Sequence, residues 1–132
     1  MLTPDQAVDA YIAMWNAADE EQREALAQQA LSEDAVLLYP SLEVYGRDEA
    51  VAAGERYHRD APGFRIVLRS GVEQHHGWVR VAWHMVYADG SLGPEGQSVG
   101  ELADDGRLRR VIGFHDPLPS SQDPASRQDG ER

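Results

Sequence analysis

Cysteine and lysine are both absent from this chain of 132 residues. Without cysteine there is no disulfide, no thiolate nucleophile and no thiolate metal site. Without lysine, arginine supplies all twelve basic side chains, a bias that coding-sequence composition explains without appeal to function. No apolar run is long enough to span a bilayer. The start, Met1-Leu2-Thr3-Pro4-Asp5, lacks the basic and apolar regions of a secretory signal. Five histidines occur without HxxxE-type spacing, so neither a metal nor a cofactor is expected. Positive charge is scarce too, and the net charge is −11. Phosphate binding needs a basic face, so a nucleic-acid partner is not expected. Together these absences point to a cytoplasmic protein with no membrane partner.

What is present is a chain able to build one core. Its length fits one domain. A chain of this size buries about 68–70% of its unfolded surface, and 42% of its residues are hydrophobic. Residues 1–34 carry a charge of −7, residues 35–119 carry −3 and residues 120–132 carry −1. The acidity therefore sits mainly on the first two helical segments and reads as a solvated outer face. From 120 onward the chain is polar and aperiodic. It reads as a flexible, dispensable tail behind a domain of residues 1–119.

Thr3-Pro4-Asp5-Gln6 opens a helix with a capping box and a proline in its first turn. Val8, Tyr11, Ile12 and Trp15 share one of its faces. Asp19-Glu20-Glu21-Gln22 caps a second helix reaching about Leu31, with a small apolar face of Ala25, Leu26 and Ala30 that places it outside. Ala35 to Tyr39 is a buried strand stopped by Pro40. A third helix runs from about Asp48 to Arg59 and carries Val51, Tyr57 and His58, the last at its surface. Gly54 within it signals close packing. Phe64 to Val72 alternates with period two, His75-His76-Gly77 turns, and Trp78 to Ala88 is a long strand. One of its faces holds Val79, Val81, Trp83, Met85 and Tyr87. The other holds Trp78, Arg80, Ala82, His84 and Val86. Asp89 to Gly96 reads as a loop. Residues 96–115 form the strongest hairpin signal, turned by Asp105-Gly106 as a primed turn. This order gives an α+β domain, helices on one face of an antiparallel sheet, with a cleft between the layers.

Four stretches carry a resemblance. They are Trp15-Asn16-Ala17-Ala18-Asp19, Ser32-Glu33-Asp34-Ala35-Val36, Tyr45-Gly46-Arg47-Asp48-Glu49-Ala50, and Asp105-Gly106-Arg107-Leu108 running to Gly113-Phe114. In that order the chain, over residues 4 to 117, resembles the nuclear-transport-factor-2-like superfamily, in its SnoaL-like and ketosteroid-isomerase-like branch. The resemblance implies a cystatin-like cone: three N-terminal helices packed on a curved, mainly antiparallel sheet. It also implies site positions. Tyr11 matches the tyrosine that donates to a developing oxyanion. Tyr39, before Pro40, matches the general-base aspartate. Ser98 matches a second, protonated acid. Val111, Gly113 and His115 match pocket positions on the last strand. Both carboxylates of the isomerases are thus replaced, and ketosteroid isomerisation at an enzymatic rate is not expected.

Three functions remain open on these residues. The first is a binding domain for a small apolar or aromatic molecule, its pocket drawn from Tyr11, Trp15, Tyr39, Tyr57, Trp83, Ser98, Val111, Gly113 and His115. The second is an isomerase, cyclase or hydrolase with His115 or His84 as its base. The third is a non-catalytic dimerisation domain. The apolar character of both faces of the 78–88 strand leads in each case to the expectation of a homodimer.

Overall fold

A capping box starts the first helix, α1 (Pro4–Asn16). Thr3 Oγ1 accepts from the Gln6 backbone N–H at 3.1 Å, and Gln6 Oε1 accepts from the Thr3 N–H at 3.0 Å. In α2 (Glu20–Ala30), Asp19 caps through the Gln22 N–H at 3.0 Å. In α3 (Arg47–Asp60), Gly46 enters with φ 95°. The structure, a computed structural model, describes residues 1–122. The expected tail lies outside the described residues from 123 onward.

Seven strands form one sheet: β1 (Leu31–Tyr39), β2 (Leu42–Tyr45), β3 (Arg65–Leu68), β4 (Glu73–His75), β5 (Trp78–Val86), β6 (Leu92–Leu102) and β7 (Leu108–His115). Their order is β2-β1-β7-β6-β5-β3, with β4 also on β5. All pairs are antiparallel except β1 with β7. The three helices cover one face. The cystatin-like α+β cone expected from the sequence is the fold observed.

Four local readings differ from it. Tyr39 pairs with Leu42 across Pro40-Ser41, so Pro40 turns the chain into a four-residue strand instead of ending the sheet there. The expected 64–72 strand is regular only as β3, which ends at Leu68, and the chain pairs with β5 again as β4 from Glu73. At the break, Ser70 Oγ accepts from the Ala82 N–H at 2.9 Å, so a side chain replaces a ladder bond. The 89–96 loop is already strand from Leu92. Its register shifts between His84 and Val86, a bulge that accommodates Pro94, which has no N–H for the ladder. At the β6–β7 turn the Ala103 N–H donates to Arg107 O at 2.7 Å and the Gly106 N–H to Ala103 O at 2.9 Å. Gly106, at φ 87°, is therefore the left-handed third residue of a three-residue loop rather than part of a two-residue primed turn.

The second helix corrects a further expectation. Its largest buried side chain is Arg23, at 1% exposure. Nε and Nη2 donate to Ala17 O at 3.2 and 3.0 Å, and Nη2 also to Ala18 O at 3.1 Å. The guanidinium thus serves carbonyls left open at the end of α1. It lies against Gly54 of α3, where an added Cβ would stand 2.5 Å from Arg23 Cδ. His58 is not free surface either. Its Nε2 is 2.8 Å from Trp15 O, and its ring lies 4.4 Å from that of Phe64.

Replacing Gly54→Ala pits a gain in helix propensity of about 1 kcal/mol against overpacking of about 1–3 kcal/mol. Arg23 is anchored by three hydrogen bonds and has nowhere to move, so the second effect wins. Thermal unfolding should show a lower midpoint for Gly54→Ala, and an unchanged or higher midpoint would refute this packing account.

Candidate functional site

Between α1, α3 and the far end of β5 and β6 the sheet curves away from the helices. It leaves a cavity of about 240 Å³. From α1 come Tyr11, Ile12 and Trp15, and from α3 and the segment after it Tyr57, Ala61 and Phe64. Trp83, Met85 and Tyr87 come from the β5 side. The face of the 78–88 strand that lines the cavity is therefore that of Val79, Val81 and Trp83. The bulge in β6 brings Pro94 to the rim, beside His115, Ser41 and Leu42. The aromatic wall is interlocked edge to face: Tyr11 with Trp15 at 6.2 Å, Trp15 with Tyr57 at 5.9 Å. Asn16 pins this end of α1 to β3, accepting from the Ile66 N–H at 2.6 Å and donating to Ile66 O at 3.0 Å.

The polar part of the cavity is one hydrogen-bonded chain. The Trp83 indole N–H donates to Ser98 Oγ at 2.9 Å. Ser98 Oγ and Tyr39 OH are 2.9 Å apart, and Tyr39 OH and Tyr11 OH 2.7 Å apart. Three hydroxyl hydrogens serve two hydroxyl–hydroxyl bonds, since each bond uses one hydrogen. One hydroxyl hydrogen of the chain is left over, whichever way the bonds run. It is available to an acceptor inside the cavity.

The two phenols stay neutral. Burial pushes the Tyr11 hydroxyl well above its ordinary value, and the neighbouring Tyr39 adds to the rise. Burial also raises Tyr39, although the hydrogen bonds from Ser98 and Tyr11 oppose the rise. Among the described residues no carboxylate, arginine or metal-binding cluster lines the cavity. Its acid–base chemistry is therefore confined to hydroxyls and the His115 imidazole.

Of the residues named from the sequence, Tyr11, Trp15, Tyr39, Tyr57, Trp83, Ser98 and His115 line this cavity. Three do not. His84 lies on the opposite sheet face, because it alternates with the inward Trp83; its cross-strand neighbours are Val67 and Glu95. Val111 is buried in the main core. Gly113 lies beneath Tyr39, where a Cβ would overlap the ring. Its missing side chain is what lets the phenol reach Ser98. Arg80 also faces outward and pairs with Glu73 at 2.6 Å. Asp116 is paired with Arg69 at 2.9 Å. Sequence reasoning missed Phe64, Ile66, Met85, Tyr87 and Pro94 as lining residues. The period-two face shared by Trp83, Met85 and Tyr87 was visible, but nothing in it said which face looks inward.

The raised phenols have a consequence at high pH. A folded-state value above the unfolded one means that the folded chain retains hydrogens which the unfolded chain gives up. Stability from these groups is full below about pH 10 and falls as pH rises through their folded values. Absorbance titration of the five tyrosines should leave Tyr11 and Tyr39 protonated until the protein unfolds. Reversible titration of all five in the folded protein would contradict the buried chain.

No protein-family model and no curated protein matches this chain. Solved structures do. A provisionally named isomerase of the SnoaL-like family from Agrobacterium tumefaciens is 30% identical, with TM-score 0.81, over 88% of this chain and 100% of that one. A cystatin-like-fold protein of unknown function from Methylobium petroleophilum has TM-score 0.72 at 13% identity, over 92% of this chain and 80% of that one. A provisionally named SnoaL-like polyketide cyclase from Jannaschia has TM-score 0.62 at 16% identity, over 88% of this chain and 90% of that one. The last two carry the fold alone. With the first, they join the cone, the roofed cavity and the sequence markers into one assignment: the chain belongs to the SnoaL-like family of nuclear-transport-factor-2-like, cystatin-fold proteins.

Proposed function

We propose that this protein binds a small, neutral, largely apolar ring compound that carries one hydrogen-bond acceptor. The observation that carries the reading is the leftover hydroxyl hydrogen of the Tyr11–Tyr39–Ser98 chain in an otherwise apolar cavity. An apolar ring gains about 25 cal/mol for each Å² withdrawn from water. A ketone or ether oxygen adds about 1 kcal/mol by meeting the free hydrogen. A carboxylate would be disfavoured, because no cation lines the cavity to offset its desolvation.

A second reading rests on His115, the lining's one imidazole, whose ring centroid lies 6.2 Å from that of Trp83. With the phenols as donors it would act as base in an isomerase- or cyclase-type step, activities that the names of two similar structures suggest for those proteins. Its position at the rim favours binding over catalysis, since a missing base costs about 10²–10⁴ in rate.

Titration of tryptophan fluorescence with 1-tetralone, naphthalene and 2-naphthoate tests the proposal. The ketone should bind about fivefold or more tightly than the hydrocarbon, as one net hydrogen bond implies, and the carboxylate most weakly. In the Tyr11→Phe/Tyr39→Phe/Ser98→Ala triple variant, which removes all three hydroxyls of the chain, the preference for the ketone should vanish. A preference surviving in that variant would refute the hydroxyl chain as the recognition element. Turnover of a β,γ-unsaturated ketosteroid at about one per second or faster would move the role to His115.

The homodimer also belongs to this proposal. The helix-free sheet face joins Leu38, Ile112 and Val99 in one cross-strand row, with Phe114 beside it at 59% exposure. Arg109 and Arg110 flank Glu101 at 3.4 and 3.3 Å on its margin. An apolar centre with a charged rim is the anatomy of a specific interface, here of about 1,000 Å² or more. Sedimentation should give a dimer at micromolar concentration and a folded monomer for Ile112→Arg. A monomeric parent protein would refute this part. The cytoplasmic location expected from composition stays part of the same proposal; no helix among the described residues is long and apolar enough to cross a membrane.

A further inference from the structure

Among the described residues no group of three or more histidine, cysteine or acidic side chains converges on one point. Two imidazoles do. His75 pairs with Trp78 across the link His76-Gly77, which joins β4 to β5. Both link residues have positive φ, 52° and 81°, the primed form that matches strand twist. His76 is the only described residue other than glycine in the left-handed region, a place that asparagine and glycine fill more readily in such turns. Neighbours along a regular strand face opposite ways. The left-handed step at His76 undoes that alternation and returns its ring to the side of His75. The two Nδ1 atoms are 3.0 Å apart, with the rings 84° from coplanar.

We propose that this hairpin tip is a copper(II) chelate in which His75 and His76 each ligate through Nδ1. Metal–nitrogen bonds of about 2.0–2.1 Å to atoms 3.0 Å apart subtend an angle of roughly 95° at the ion. That is close to the right angle between neighbouring ligands in the tetragonal sites that copper(II) and nickel(II) favour, and narrower than the tetrahedral angle of zinc. Copper also heads the affinity order of the divalent first-row ions. Without metal, one Nδ1 carries the hydrogen shared by the pair. On binding, that ring takes the Nε2–H tautomer and both Nδ1 lone pairs face the ion. Glu73 lies on the same strand face as His75, two residues earlier. It is committed through Oε1 to Arg80 Nε at 2.9 Å and Nη2 at 2.6 Å. Water or an outside ligand completes the shell. Both rings are exposed, and a net charge of −11 favours the approach of cations.

The test uses the full chain free of any affinity tag, titrated with copper(II) chloride near neutral pH. Binding is followed by tryptophan fluorescence, because Trp78 sits directly across from His75, and by electron paramagnetic resonance. One ion should bind per chain with a dissociation constant of about 10 µM or tighter, and the spectrum should show a tetragonal site with two imidazole nitrogens. His76→Asn keeps the turn chemistry and should weaken binding at least about tenfold without lowering the unfolding midpoint. His75→Gln should do the same to binding, and His84→Gln should leave it unchanged. Copper binding that survives both His75→Gln and His76→Asn, a spectrum with fewer than two imidazoles, or no binding by the parent chain would overturn the proposal.

Discussion

The site depends on one hydrogen-bonded chain, Trp83–Ser98–Tyr39–Tyr11. Its four members come from β5, β6, β1 and α1, so it ties the helical layer to three strands of the sheet. None of the four carries a charge at neutral pH. That matters energetically. A buried carboxylate in the place of Tyr39 or Ser98 would need compensation that this apolar wall does not offer. Hydroxyls satisfy one another instead, and the indole N–H closes the inner end. The constraint reaches the backbone too, since Gly113 must lack a side chain for the Tyr39 ring to lie where it does.

The helical layer is held in register by polar contacts at its ends. Arg23 serves the carbonyls at the end of α1 and fills the gap over Gly54. Asn16 and His58 fix the last turn of α1 to β3 and α3. Trp15, the broad wall of the cavity, therefore sits on a clamped helix end. Pocket shape is set by these contacts as much as by the aromatic residues that line it.

Much of the fold was legible because its signals are local. The capping box at Thr3 and Gln6 acts within a few residues, and so do Pro40 and Asp105-Gly106, which marked the places of two turns but not their form. Period-two alternation in residues 78–86 separated the faces of β5 correctly. It could not say which face meets the helices, so His84 and His115 stood as equal candidates for a base until the sheet was seen. Arg23 was invisible as a core residue because a charged side chain on an acidic helix reads as surface. Its burial depends on open carbonyls six and five residues earlier, a pairing that no periodicity encodes. Likewise Tyr11, Tyr39 and Ser98 were each named, but their union in one chain is a long-range fact. The bulge in β6 hid Pro94 in the same way, because a one-residue shift re-aims the side chains of the strand that carries it.

The central claim is that a neutral acceptor in this cavity receives the uncommitted hydroxyl hydrogen of the chain. The carbonyl stretch of protein-bound 1-tetralone, read by isotope-edited infrared difference spectroscopy, reports that bond directly. The account predicts a band below its position in a hydrocarbon solvent, returning to that position when all three hydroxyls are removed by Tyr11→Phe, Tyr39→Phe and Ser98→Ala. A bound ketone whose band already matches hydrocarbon solvent in the unaltered protein would contradict it.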